Sequence, residues 1–144
     1  SKMIQAAANI RVPKLTFYVG ASYGAGNYGM AGYGYDPDFL FAWPGAMTGV
    51  MSGESAAGTM ETVALNSAKR RGVEPDMEAL AKQRAAIEKV FSSQEDAFFT
   101  SGRLLDHGVV DPRDTRKILG FTLETIWERQ HRTLNPNAFG IGRM

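Results

Sequence analysis

Residues 14–30, KLTFYVGASYGAGNYGM, constrain this chain more than any other stretch. A β-rich apolar run, Leu15 to Val19, ends in small residues and glycines. Gly20, Gly24, Gly26 and Gly29 fall within ten positions. A strand running into such a loop exposes backbone N–H groups, and residues with little or no side chain let a ligand approach them. A helix starting near Ala25 leaves its first N–H groups without intrahelical acceptors and with partial positive charge. That arrangement suits an anion or a developing oxyanion. The expectation is chemistry done here by backbone rather than by side chains.

The rest of the chain is read around that loop. A length of 144 residues, 44% hydrophobic content and a net charge of +1 describe one soluble globular domain with enough chain for a core. The near-neutral charge argues against a dedicated nucleic-acid binder, and no apolar run approaches the ~18 residues of a membrane span. Zero cysteines exclude disulfides, thiolate metal sites and a cysteine nucleophile. Most of the 16 glycines precede position 59. The first third is therefore loop-dense and the remainder helix-dense, an uneven build for a complete domain.

Taken in order, residues 1–9 have the spacing of a helix end, and Arg11-Val12-Pro13 leads into the strand. A short helix over 25–32 follows the glycine loop, then a turn at 33–38. Extended segments are expected at 39–43 and 47–51. Ser52 caps a helix that reaches Arg71 and stops at Gly72. A charged helix covers 77–91 and another covers 94–105, with Phe98, Gly102 and Leu105 on its packed face. Val109-Val110 is extended. Asp111-Pro112 starts a last helix to about Arg132, with Ile118, Leu119, Thr122, Leu123 and Ile126 inward. Residues 135–144 form a polar tail.

Two short motifs compete with the backbone reading. Gly24-x-Gly26-x-x-Gly29 matches the dinucleotide fingerprint, but three residues separate Gly20 from Gly24, and Gly32, Gly34 and Pro37 stand where a full helix should run. Gly53-Glu54-Ser55-Ala56-Ala57 resembles a nucleophile elbow with Ala for the last glycine, which keeps a serine acyl hydrolase using Ser55 as an alternative. The plainer account is a Ser52 cap with Ser55 in the first helical turn. His107 and His131 lie 24 positions apart without metal-ligand spacing. Trp43, Phe39 and Phe41 read as core.

Together, the stretches VPKLTFYVGASYGAGNYGM (12–30), FLFAWPGAMTGVMSGESAA (39–57), SGRLLDHGVVDPRDTRKILG (101–120) and FGIGRM (139–144) resemble the carboxyltransferase (beta) subunit of biotin-dependent acyl-CoA carboxylases. AGNYGM is closest to the methylcrotonyl-CoA and geranyl-CoA branch. Ala31, Ser55 and His107 depart from the usual Cys, Gln and Asp. The resemblance implies an α/β, crotonase-like (ClpP/crotonase) spiral fold. It also implies that residues 1–144 are the C-terminal part of the second of two related domains. The reaction implied is transfer of a carboxyl group from carboxybiotin to an acyl-CoA such as methylcrotonyl-CoA. No metal is implied in this chain. The implied partners are a biotin carboxylase/biotin carrier alpha subunit and further copies in a homo-oligomer, a hexamer, with neither nucleic acid nor membrane. The location is the cytoplasm in a bacterium or the mitochondrial matrix in a eukaryote.

Two backbone oxyanion holes, one per domain, act in such subunits. The biotin-side hole maps onto the N–H groups of Ala25 and Gly26, with Gly24, Asn27 and Tyr28 as substrate-binding neighbours. Tyr28 matches the position lining the acyl pocket. A non-catalytic crotonase-like module is the further alternative.

Overall fold

The computed structural model describes residues 2–133 together with Gly140. Its organising unit is a parallel pairing. Strand β1 (Leu15–Tyr18) pairs with β3 (Phe39–Ala42), and β2 (Ala21–Tyr23) pairs with β4 (Met47–Gly49). Parallel neighbours need a crossover. Helix α2 (Gly24–Gly29) and a 3₁₀ turn over Tyr33–Tyr35 supply it. Each ladder extends by one bond beyond its strands: Trp43 N–H donates to Tyr18 C=O at 2.8 Å at the end of β1–β3, and Met47 N–H to Gly20 C=O at 3.3 Å at the start of β2–β4.

Alternation on β3 turns Leu40 and Ala42 inward, where they meet Tyr18, Ala46 and Ala97 in the core. Phe39 and Phe41 lie on the other face, only partly buried, with Phe17 5.3 Å from Phe41 between ring centres. Trp43 is also partly buried, and its Nε1–H donates to Thr115 Oγ1 at 3.0 Å.

The helices follow their caps. Helix α1 covers Lys2–Asn9. In α3 (Gly53–Arg71), Ser52 Oγ accepts from Ser55 N–H, Gly72 at φ 65° closes the end, and Lys69, Arg70 and Arg71 occupy the last turn. Asp76 caps α4 (Met77–Ser92) by accepting from Glu78 and Ala79 N–H. Helices α3 and α4 pack as a hairpin, with Arg84 bonded to Glu61 across it at 2.8 Å. Asp111 and Pro112 open a 3₁₀ turn that runs into α6 (Thr115–His131).

Four expectations need correction. The glycine loop contains a strand, since Ala21–Tyr23 borders β4; three residues are too few for an alternation signal. The helix after it is Gly24–Gly29 and does not reach residue 32. The helix expected over 94–105 is α5 (Ala97–Gly102), because the Glu95 carbonyl accepts from Thr48 N–H and Asp96 caps the helix. Its buried residues are Ala97 and Thr100, while Phe98 and Leu105 are exposed. On α6, Thr122 and Ile126 are buried but Leu123 is exposed. Apart from Gly140, the tail expected at 135–144, with the rest of FGIGRM, lies outside the described residues.

Candidate functional site

Tyr23 ends β2 and caps α2 with extended backbone (φ −121°, ψ 149°), without a side-chain bond to the helix. Gly24 follows in the left-handed region at φ 52°. A Cβ there would stand 3.0 Å from the Val50 carbonyl oxygen, so glycine is required on two counts. The chain then enters α2 with Ala25 and Gly26 exposed in its first turn. Among the described residues, neither N–H has a protein acceptor. A Cβ at Gly26 would meet open space. With only six residues, α2 contributes through these free N–H groups rather than through a summed dipole.

Asn27 sits one residue further on and turns inward, 4% exposed. Its Nδ2 donates to Tyr18 Oη at 2.8 Å and Thr48 Oγ1 at 3.0 Å, with Ser22 Oγ at 3.3 Å. Tyr18 Oη also accepts from Tyr33 N–H at 3.1 Å, and Thr48 Oγ1 donates to Ser22 C=O at 3.0 Å. Burial raises the Tyr18 pKa above the usual phenol value against these bonds. This network ties α2 to β1, β2 and β4. The Asn27 side chain therefore braces the loop from beneath. Tyr28 does face outward, 47% exposed, with its ring edge-on to Tyr35 at 5.6 Å.

Tyr23 reaches sideways. Its Oη donates to Glu95 Oε2 at 2.7 Å. Burial first, then the bond to Glu95 and that residue's charge, push its pKa up to about 12. Sequence reading passed over Tyr18, Tyr23, Thr48 and Glu95. Partners 9 to 72 positions apart leave no local signal.

The competing motifs resolve differently. All three glycines of the dinucleotide fingerprint fall inside α2, so the long helix that should follow them is absent. Ser55 Oγ accepts from Ser52 Oγ at 3.0 Å. His107 Nδ1 accepts from Leu40 N–H at 3.0 Å, and His131 Nδ1 lies 2.8 Å from the Trp127 carbonyl. Neither histidine is a partner of Ser55. Among the described residues, no cluster of three His, Asp or Glu could hold a metal, and no helix is long and apolar enough to cross a membrane.

Comparison with known proteins adds the family. The chain is 48% identical over all 144 residues to a probable biotin-dependent acyl-coenzyme A carboxylase beta2 subunit of Mycobacterium tuberculosis, covering 27% of that protein. It is 40% identical to the mitochondrial methylcrotonoyl-CoA carboxylase beta chain of Arabidopsis thaliana, covering all of this chain and 24% of the relative. The crystal structure of the P. aeruginosa geranyl-CoA carboxylase beta subunit superposes on 99% of this chain and 26% of its own, with a TM-score of 0.82 and 43% identity. The chain thus spans about a quarter of the length of the relatives it matches. The α/β, crotonase-like fold implied by the sequence is the fold of these carboxyltransferase neighbours. The model of the carboxyl transferase domain matches residues 1–140, and it is to that family that the chain belongs.

Proposed function

We propose that this chain is the C-terminal part of the second domain of a carboxyltransferase subunit, moving a carboxyl group onto an acyl-CoA of the methylcrotonyl-CoA type. One observation carries the reading: Ala25 and Gly26 are exposed just past the end of a strand, and among the described residues neither N–H has a protein acceptor. Both would donate to an oxygen as it gains negative charge. Preorganised donors do this without reorganising, and loss of one typically costs about 10²–10³ in rate. Gly24 and Gly26 keep the approach open because neither carries a side chain. Tyr28 borders the acyl side. Asn27, spent on Tyr18 and Thr48, holds the loop's shape.

When bound, the biotin of a partner alpha subunit would supply the carboxyl group in its carboxylated form, carboxybiotin. No side chain of Gly24, Ala25 or Gly26 obstructs such a group, and none titrates. In this reading a second backbone hole, on the CoA side, lies in the other domain, and copies of the subunit assemble as a hexamer. The mitochondrial matrix in a eukaryote or the cytoplasm in a bacterium is the matching compartment. The serine hydrolase alternative finds no support, since Ser55 bonds to Ser52 rather than to a histidine. The non-catalytic alternative would leave the two free amides without a role.

The test is carboxyl transfer from carboxybiotin to methylcrotonyl-CoA, which leaves biotin, by the full-length subunit carrying this sequence and by the isolated 144 residues. The full-length subunit turns over and the isolated chain does not. Turnover by the isolated chain would sink the division of the site between domains.

A further inference from the structure

We propose that Glu95 is a positioning residue for the Ala25 and Gly26 amides, acting through Tyr23. The inference rests on the reading of that loop as the anion site and adds the group that sets its geometry.

Tyr23 immediately precedes the loop, so its backbone dihedrals aim everything from Gly24 onward. Two constraints fix it. On the backbone side it pairs with Gly49 in the β2–β4 ladder. The phenol ring packs over Gly49, where a Cβ would stand in ordinary contact with it, 3.7 Å from Tyr23 Cδ1 and Cε1. On the side-chain side, the ring crosses β4 and its hydroxyl donates to Glu95 Oε2 at 2.7 Å.

Glu95 is itself held. Its carbonyl accepts from Thr48 N–H at 2.8 Å, and its neighbour Asp96 both bridges to Met47 and caps α5. Thr48 in turn accepts from Asn27 of α2. One residue, Glu95, thus grips β4 with its main chain and the start of α2 with its side chain. A charge-assisted O–H···O⁻ bond of this length is among the stronger kinds. Neither Ala25 nor Gly26 takes part in it. Glu95 therefore acts on the loop's geometry and need not touch a ligand. Misplacing a donor by about 1 Å can cost about 10² in rate, so this clamp has leverage without contact.

Three variants test it: Tyr23→Phe and Glu95→Ala, which break the clamp, and Glu95→Gln, which keeps an acceptor for the phenol. Two readouts are taken. The first is backbone hydrogen exchange of the peptide spanning residues 23–28, against a control peptide in α6. The second is carboxyl transfer by the full-length subunit. Tyr23→Phe and Glu95→Ala speed exchange in the loop peptide but not in the α6 control. Both lower kcat about tenfold and leave KM for the acyl-CoA unchanged; Glu95→Gln restores both readouts. Unchanged loop exchange in Tyr23→Phe and Glu95→Ala overturns the clamp, and so does faster exchange in both peptides alike. A loop-specific change with unchanged turnover leaves the clamp standing and removes the loop from the reaction.

Discussion

Gly32 stands directly over the Asn27 side chain: a Cβ at Gly32 would overlap Asn27 Oδ1 and come within 2.5 Å of Tyr18 Oη. The backbone at Gly32 is ordinary, with φ −69°, so space rather than conformation requires glycine here. The polar network under α2 and the turn that closes it are packed as one unit.

Gly32→Ala therefore destabilises the chain by about 1–3 kcal/mol, the range for overpacking a close-packed site. The loss is coupled to Asn27. In the Asn27→Ala background, where the obstructing amide is gone, the same substitution costs measurably less. Urea unfolding of the four proteins in this cycle checks both statements. Equal costs in the two backgrounds would mean that the crowding lies elsewhere.

Gly24 and Gly26, two positions apart, differ in what they tolerate. Gly24→Ala places a Cβ at φ 52° and 3.0 Å from the Val50 carbonyl oxygen, and left-handed backbone alone costs about 1–2 kcal/mol in a residue with a side chain. Gly26→Ala has ordinary φ and open space, and leaves stability unchanged or raises it by about 0.4–1 kcal/mol through the unfolded chain. Thermal melts of the two variants should separate in that order.

The Tyr23 phenol titrates at about 12, held up by burial first and by Glu95 second. A raised folded pKa means that the associated stability is fully present below the unfolded value of about 10. It is lost as pH rises from there through about 12. In Glu95→Ala the Tyr23 value moves down but stays above the model-peptide value of about 10, because burial remains. The phenolate absorbance difference between each protein and its Tyr23→Phe counterpart measures this. A Tyr23 that titrates identically with and without Glu95 would contradict the assignment.

Much of this was legible in the residues because the signals were local. Ser52, Gly72, Asp76 and Asp111 mark element ends through bonds to groups within a few positions, and the β1 and β3 runs are apolar enough to stand out. The family motif puts the proposed site at Ala25 and Gly26, two residues exposed in the first turn of α2. What was not legible depends on distance. Strand β2 exists because β4 lies beside it. The helix expected from 94 starts at Ala97 because the Glu95 carbonyl is committed to Thr48. Asn27 faces inward because Tyr18 and Thr48 draw it there. Nothing within four residues of any of these positions announces its partner.

The sharpest contrast sets Gly26 against Ser55 in the full-length subunit. Gly26→Val adds a β-branched side chain beside a proposed donor. Since the site is open and φ is ordinary, folding survives and the damage falls on approach to the N–H. Carboxyl transfer drops toward the loss of one oxyanion donor, about 10²-fold or more, with the melting temperature lowered by no more than a few degrees. Ser55→Ala removes only a hydroxyl that accepts from Ser52 Oγ on an exposed helix start. It changes stability by about 1 kcal/mol at most and leaves turnover near wild type. Assays of both variants with the same carboxybiotin and acyl-CoA separate the two chemistries directly. Turnover abolished by Ser55→Ala and spared by Gly26→Val would replace the backbone site with a serine nucleophile. Turnover spared by both would make the loop purely structural.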